Sequence, residues 1–326
     1  MTKDELKIVF MGTPDFAVAS LRALVEGGYC VADVVTMPDK AVGRHGSVLQ
    51  ASAVKQYAVS AGLPVLQPER LRDESFIREL QALRADLQVV VAFRMLPEVI
   101  WDMPRFGTFN LHASLLPRYR GAAPINRAIM NGETETGVTT FFLAHGMDTG
   151  RIIRQRRLPV AETDDAGTVH DALMTMGATL VTETVDILIA EDGNVESIPQ
   201  EAFCKDTGEL PTAPKIFTET CRINWQQPTD HIYNFIRGLS PYPAAWTELI
   251  APNGRRLSAK IFQTAKYLET HTLHPGSVRT DGKHFIDIAT TDGFLRILSL
   301  QLSGKKRMPA NDFLNGTKID GAWRFE

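Results

Sequence analysis

Asn110 and His112 are two polar side chains two residues apart, and they open the segment Asn110-Leu111-His112-Ala113-Ser114-Leu115-Leu116-Pro117-Arg118-Tyr119-Arg120-Gly121-Ala122-Ala123-Pro124. In a strand, residues two apart share a face. If the strand predicted over 108–111 continues, both stand together at its C-terminal end, where open α/β sheets place ligands. A carboxamide donor beside an imidazole can stabilise an oxyanion and move a proton. A third group is needed to tune the histidine. Asp148, in Gly146-Met147-Asp148-Thr149-Gly150 after the next predicted strand, is the natural candidate, because a nearby carboxylate favours the imidazolium form. An Asn/His pair at a strand end also has a purely structural reading, and these residues alone leave both open.

The elements that must hold these groups follow from the hydrophobic pattern. Lys7-Ile8-Val9-Phe10-Met11 is a short apolar run that ends in Gly12-Thr13-Pro14. Apolar Phe16, Val18, Ala19, Leu21, Leu24 and Val25 then recur at helical spacing until Gly27-Gly28, and Val31-Ala32-Asp33-Val34-Val35 follows as a second strand. A strand–helix–strand unit predicts a parallel sheet. Further strands are predicted over 86–92, 108–111 and 138–142, with helices over 74–83 and 167–190. The alternation predicts a doubly wound, mostly parallel α/β domain. The first glycine turn, Gly12-Thr13-Pro14-Asp15-Phe16, lacks the spaced glycines of a dinucleotide site, which disfavours a nicotinamide or flavin dehydrogenase.

From Glu191 to Pro214 the periodicity fades, and Gly193, Pro199, Gly208, Pro211 and Pro214 punctuate the chain. One helix is predicted beyond it, over 229–239. Short β-like runs follow at 246–250, 257–262, 284–289 and 295–300, separated by turns such as Pro252-Asn253-Gly254 and Asp292-Gly293. This is the pattern of a small barrel or sandwich. The expected division is a catalytic domain over 1–190, a linker over 191–208 and a C-terminal β-barrel domain over 209–326.

The 326 residues are 44% apolar and 22% charged, an ordinary globular balance that disfavours disorder and coiled coil and suits about two domains. No run approaches the ~18 consecutive apolar residues of a membrane span, so no membrane partner is expected. Three cysteines, Cys30, Cys204 and Cys221, give neither a disulfide framework nor a metal cluster. The expectation is a cytoplasmic protein without a metal site. Residues 1–204 carry 19 Lys and Arg against 26 Asp and Glu, whereas the rest carries 16 against 12. A basic second part is suited to a polyanion, though a surplus this small also fits a solvated surface.

Longer motifs sharpen the reading. Asn-x-His-x-Ser-Leu-Leu-Pro followed by Arg-x-Arg-Gly-Ala-Ala-Pro runs from Asn110 to Pro124, Gly-x-Asp-Thr-Gly spans Gly146–Gly150, and Phe-x-Gly-Thr-Pro-Asp-Phe-Ala spans Phe10–Ala17. With Pro38-Asp39-Lys40-Ala41-Val42-Gly43-Arg44, Ile223-Asn224-Trp225 and Gly304-Lys305-Lys306, the chain resembles the methionyl-tRNA formyltransferases within the wider 10-formyltetrahydrofolate-dependent family. The resemblance covers nearly the whole chain. It implies a Rossmann-type formyltransferase fold followed by a barrel similar to an OB-fold. It also implies a monomer that uses 10-formyltetrahydrofolate as co-substrate and initiator methionyl-tRNA as acceptor.

The resemblance implies roles as well. Asn110, His112 and Asp148 are the catalytic set. Ser114, Leu115, Leu116 and Pro117 line the folate site, with Phe93, Arg94 and Leu96 as a second wall. There the chain departs from the family, with Ala-Phe-Arg-Met-Leu-Pro where Ala-Tyr-Gly-x-Ile-Leu-Pro is more usual. Lys40 and Arg44, in the loop over 38–50, are the tRNA element. Lys305, Lys306 and Arg307, with Arg255, Arg256 and Lys260, supply positive charge to the second domain. An alternative that shares the catalytic set is a formyltransferase acting on a small amine, an amino sugar or purine precursor.

Overall fold

The computed structural model describes residues 1–42, 48–203 and 209–326, which form two compact units. The first unit comprises Met1–Gly121, Glu135–Leu158 and His170–Thr212. It starts with β1 (Ile8–Gly12), α1 (Asp15–Glu26) and β2 (Val31–Val35), as the apolar spacing predicts. A hairpin of β3 (Lys40–Val42) and β4 (Val48–Gln50) follows, then α2 (Ala53–Ser60), β5 (Val65–Leu66), α3 (Glu74–Ala82) and β6 (Leu87–Val91). Next come α4 (Glu98–Trp101), β7 (Thr108–His112), β8 (Arg120–Gly121), α5 (Pro124–Met130), β9 (Glu135–Phe142), β10 (Ile152–Pro159) and α6 (Ala166–Ala190). Of these, α5 belongs to the second unit.

The seven-stranded sheet has the order β10-β9-β7-β6-β1-β2-β5. β1 lies parallel to β2 and β6, and β7 lies parallel to β6, so the C-terminal ends of four strands open on one edge. β9 runs antiparallel to β7, with Asn110 opposite Phe141 and His112 opposite Thr139. The strand over 108–111 therefore does continue to His112. β10 is absent from the sequence reading, because Arg154, Gln155, Arg156 and Arg157 mask its apolar start. α6 has the length and mean hydropathy, 1.4, of a membrane-crossing helix, which a search for unbroken apolar runs passes over. Its Leu173, Leu180, Val181, Val185 and Leu188 are buried, and its Thr184 hydroxyl meets Thr140 of β9 at 2.9 Å. It acts as a core helix.

The second unit holds Ala122–Thr134, Pro159–Val169 and Ala213–Glu326. After β11 (Thr212–Ala213) comes α7 (Thr229–Leu239), then β12 (Ala245–Ile250), β13 (Arg256–Tyr267), β14 (Val278–Thr280), β15 (Ile286–Ala289), β16 (Phe294–Leu302), β17 (Met308–Pro309), α8 (Ala310–Gly316) and β18 (Arg324–Phe325). The path β14-β15-β16-β13-β12-β18 returns on itself where Ser277 bridges Arg324. The result is a nearly closed antiparallel barrel. Register shifts around Gln263 bend the long β13. Ile232, Ile236 and Leu239 of α7 seal the barrel against Trp225, Leu249, Ile261 and Leu300. Trp225 is core, as its apolar neighbours predict, and its indole N–H donates to Thr247 Oγ1 at 3.0 Å.

One face of the first sheet buries Val9, Met11, Val35 and Val90 against Leu71, Phe76, Leu80, Leu96 and Ile100. Asp33 shares that face with Val35. It is buried, with Oδ1 lacking any hydrogen-bond partner, and burial pushes its carboxyl up to about 6. Above pH 6 the folded protein must hold a desolvated carboxylate. That cost fades as pH falls from about 6 toward the ordinary value of 3.8. Asp33→Asn is thus expected to stabilise the protein by on the order of 2–3 kcal/mol at pH 8 and by little at pH 4. Urea unfolding of variant and parent at both pH values checks this; a pH-independent difference would contradict it.

Candidate active site

β7 ends in the candidate set. Asn110 is partly exposed, and its Oδ1 is buried without a hydrogen-bond partner, an unspent acceptor at the strand end. His112 is nearly buried, at 8% side-chain exposure, and its ring meets Phe141 edge-on. Its Nε2 lies 2.8 Å from the Tyr119 carbonyl. A carbonyl only accepts, so Nε2 carries a proton and donates. Nδ1 is the remaining nitrogen, and it faces Asp148 Oδ2 at 3.9 Å. Asn110 and His112 thus share one face near the C-terminal end of β7, and Asp148 lies beside His112.

Asp148 is held by its surroundings. Its backbone is left-handed, with φ 54°, and its Oδ2 accepts from the Gly121 N–H at 2.9 Å. Gly121 itself has φ 126°, which a side chain would resist. The turn over 146–150 closes tightly on the end of β9. A Cβ on Gly150 would lie 1.6 Å from the Phe142 carbonyl oxygen, so only glycine fits. Tyr119 is also left-handed, with φ 59°. Backbone conformations of this kind persist only where surrounding contacts enforce them.

The segment Ser114–Pro117 is pinned from behind. The Thr139 hydroxyl donates to the Ser114 carbonyl at 2.6 Å and accepts from the Leu116 N–H at 3.2 Å. Gln155 Nε2 donates both to Thr139 Oγ1 and to the Leu116 carbonyl. Ser114 Oγ donates to the Arg118 carbonyl. Leu116 is buried against Phe141 and Ile152, and Pro117, joined to it by a cis peptide, is also buried. Leu115 remains partly exposed. On the second wall, Leu96 is buried in the sheet core and Phe93 is partly exposed. Arg94 is engaged with protein rather than extended. Its guanidinium donates to the carbonyls of Pro68 and Glu69, with Nε buried and unpartnered.

The other expected contacts are on different elements. Lys40 is exposed at the base of the β3–β4 hairpin. Nearby, Asp39 is held by Lys55 at 2.6 Å and by Gln67 at 2.8 Å, which keeps its carboxyl below the usual range. Arg44 lies outside the described residues. In the second unit, Lys305, Lys306 and Arg307 follow β16 on an exposed turn, with the Arg307 guanidinium 4.4 Å from the Phe262 ring centroid and donating to Ser299 Oγ.

A formyl transferase family model matches residues 6–185, and a formyl transferase C-terminal domain model matches residues 215–318. The chain belongs to the formyl transferase family. A methionyl-tRNA formyltransferase of Parabacteroides distasonis is 70% identical over 318 residues, 98% of each chain. One of Bacteroides fragilis is 59% identical over 326 residues, 100% of this chain and 99% of that one. Among solved structures, the sugar 3N-formyl transferase WlaRD, crystallised with dTDP and 5-N-formyl-THF, has a TM-score of 0.64 at 20% identity, over 92% of this chain and 99% of that one. HypX from Aquifex aeolicus, in complex with tetrahydrofolic acid, has a TM-score of 0.61 at 19% identity, over 96% of this chain and 48% of that one.

For this formyl transferase, sequence reasoning missed Thr139 and Gln155. Neither belongs to a motif: Thr139 arrives through the antiparallel docking of β9 on β7, and Gln155 from β10 on the other side of β9. Thr139→Val keeps the shape but strands the Ser114 carbonyl, the Leu116 N–H and one Gln155 bond. It is expected to cost about 2–4 kcal/mol, with Thr139→Ser near the parent. Denaturant midpoints for both variants measure this; equal stability of the valine variant would refute it.

Proposed function

We propose that this chain transfers the formyl group of 10-formyltetrahydrofolate to the methionine amino group of initiator methionyl-tRNA. The observation that carries the reading is the meeting of Asn110, His112 and Asp148 at one sheet edge, in a chain whose relatives named methionyl-tRNA formyltransferase match it end to end. The amine attacks the formyl carbon, giving a tetrahedral centre with negative charge on oxygen. Asn110 donates to that oxygen through its amide N–H. His112, with Nε2 committed to the Tyr119 carbonyl, donates through Nδ1 when the ring is protonated. Asp148 faces Nδ1 and helps take the proton lost by the amine. The C–N10 bond then breaks, and N10 of the folate gains a proton.

In this reading Ser114, Leu115, Leu116 and Pro117, with Phe93, Arg94 and Leu96, build the folate pocket. The half-exposed Leu115 and Phe93 touch the ligand, and the buried Leu96 and Leu116 support them. Arg94 fixes the wall to the Pro68–Glu69 backbone. Lys40 and Arg44, with Lys305, Lys306 and Arg307, meet tRNA phosphates. Transfer to an amino sugar or purine precursor is the less supported reading, because relatives 70% and 59% identical over nearly the whole chain are named for methionyl-tRNA.

Asn110→Ala is expected to lower turnover roughly 100–1,000-fold, as loss of a preorganised oxyanion donor does, and Asp148→Ala roughly 100–10,000-fold, as loss of a positioned proton-transfer group does, with folate affinity changed far less. Single-turnover formylation of methionyl-tRNA and folate titration separate the two quantities; near-parental turnover in either variant would sink the assignment. Arg44→Ala is expected to weaken formylation of methionyl-tRNA while sparing a small methionyl amide. Equal losses on both acceptors would remove Arg44 from the tRNA contact.

A further inference from the structure

The stretch expected to be a linker contains a buried polar residue. Gln200, in the 3-10 turn Gln200–Phe203, is 1% exposed. Its Nε2 donates to the Asp148 carbonyl and to the Gly150 carbonyl, both at 2.8 Å. Its Oε1 accepts from Arg120 Nε at 3.0 Å and Nη2 at 2.6 Å. One carboxamide thus grips the Asp148 turn with its N–H groups and Arg120 with its oxygen. Arg120 lies between Tyr119, whose carbonyl accepts from His112, and Gly121, whose N–H holds the Asp148 carboxylate. Beyond that stretch, the Pro211 carbonyl accepts from the Tyr119 N–H at 2.6 Å.

We propose that Gln200 is a positioning residue for the transfer reaction, setting Asp148 against His112 through the Asp148 backbone on one side and Arg120 on the other. The proposal rests on the formyl-transfer reading and deepens it. A left-handed Asp148 relaxes when nothing holds its carbonyl, and relaxation swings its carboxylate away from Nδ1. Gln200 meets Asp148 through the main-chain carbonyl, and its effect on the reaction passes through Asp148.

The intact enzyme serves, with kcat and KM for 10-formyltetrahydrofolate and methionyl-tRNA measured in Gln200→Ala, Asp148→Ala and the double variant. Gln200→Ala is expected to lower kcat roughly 10–100-fold, the scale of a displaced catalytic group, with both KM values within about twofold. Because the effect passes through Asp148, adding Gln200→Ala to Asp148→Ala is expected to cost less than about twofold more. Gln200→Glu keeps the shape and the Arg120 contact but removes both N–H donors, and is expected to lose as much as Gln200→Ala. If Gln200→Ala does not fold, Arg120→Ala, at a half-buried position, replaces it in the same cycle with a smaller expected loss. Losses that multiply in the double variant, or a folded Gln200→Ala with kcat within twofold of the parent, would overturn the proposal. A parent that formylates an amino sugar but not methionyl-tRNA would overturn the acceptor instead, and the same cycle on that sugar would then judge Gln200.

Discussion

Two main-chain groups flanking Arg120 set the geometry on which the site depends. The Tyr119 carbonyl takes the Nε2 proton of His112, and the Gly121 N–H fills one lone pair of Asp148. The imidazole and the carboxylate are thereby fixed to one short piece of backbone rather than to each other, and they rest 3.9 Å apart. That separation is too long for a hydrogen bond, so neither side chain is oriented by the other.

Holding the groups this way has an energetic cost. Tyr119 and Asp148 are both left-handed, a conformation that costs a residue with a side chain roughly 1–2 kcal/mol. The surrounding sheet and turns must offset it. β9 does part of this by running antiparallel to β7, which places Thr139 behind Ser114–Pro117 and brings Phe141 edge-on to the imidazole. The glycine at 150 does another part, letting the Asp148 turn close against Phe142. The site is thus a set of backbone positions enforced from several directions, and the side chains inherit their geometry from it.

Much of this was legible in the sequence, and the failures have physical causes. β1, α1 and β2 follow from unbroken apolar runs and helical spacing, and α7 occupies the predicted 229–239 because Ile232, Ile236 and Leu239 recur at three- and four-residue intervals. The Asn110–His112 spacing was enough to place both at a strand end. β10 was not legible because a strand over Ile152–Pro159 carries arginines in place of apolar residues. The direction of β9 was not legible because alternation along a strand says nothing of its neighbour. Gln200 and Thr139 were silent for a different reason. Each works through hydrogen bonds to backbone far away in sequence, and no spacing rule marks a lone glutamine among prolines and glycines.

The barrel of the second unit closes late in the chain. Phe325 donates its N–H to the Gly276 carbonyl at 2.8 Å and is buried against Trp225, and Leu249 and Ile250 of β12 take β18 as their outer partner. Every earlier strand of that sheet is translated before the piece that seals it. A nascent chain on the ribosome therefore carries an unsealed seam between Gly276 and the outer edge of β12 until synthesis passes Phe325. During that interval, exposed strand edges and the apolar residues that Phe325 covers are open to chaperones and to neighbouring chains.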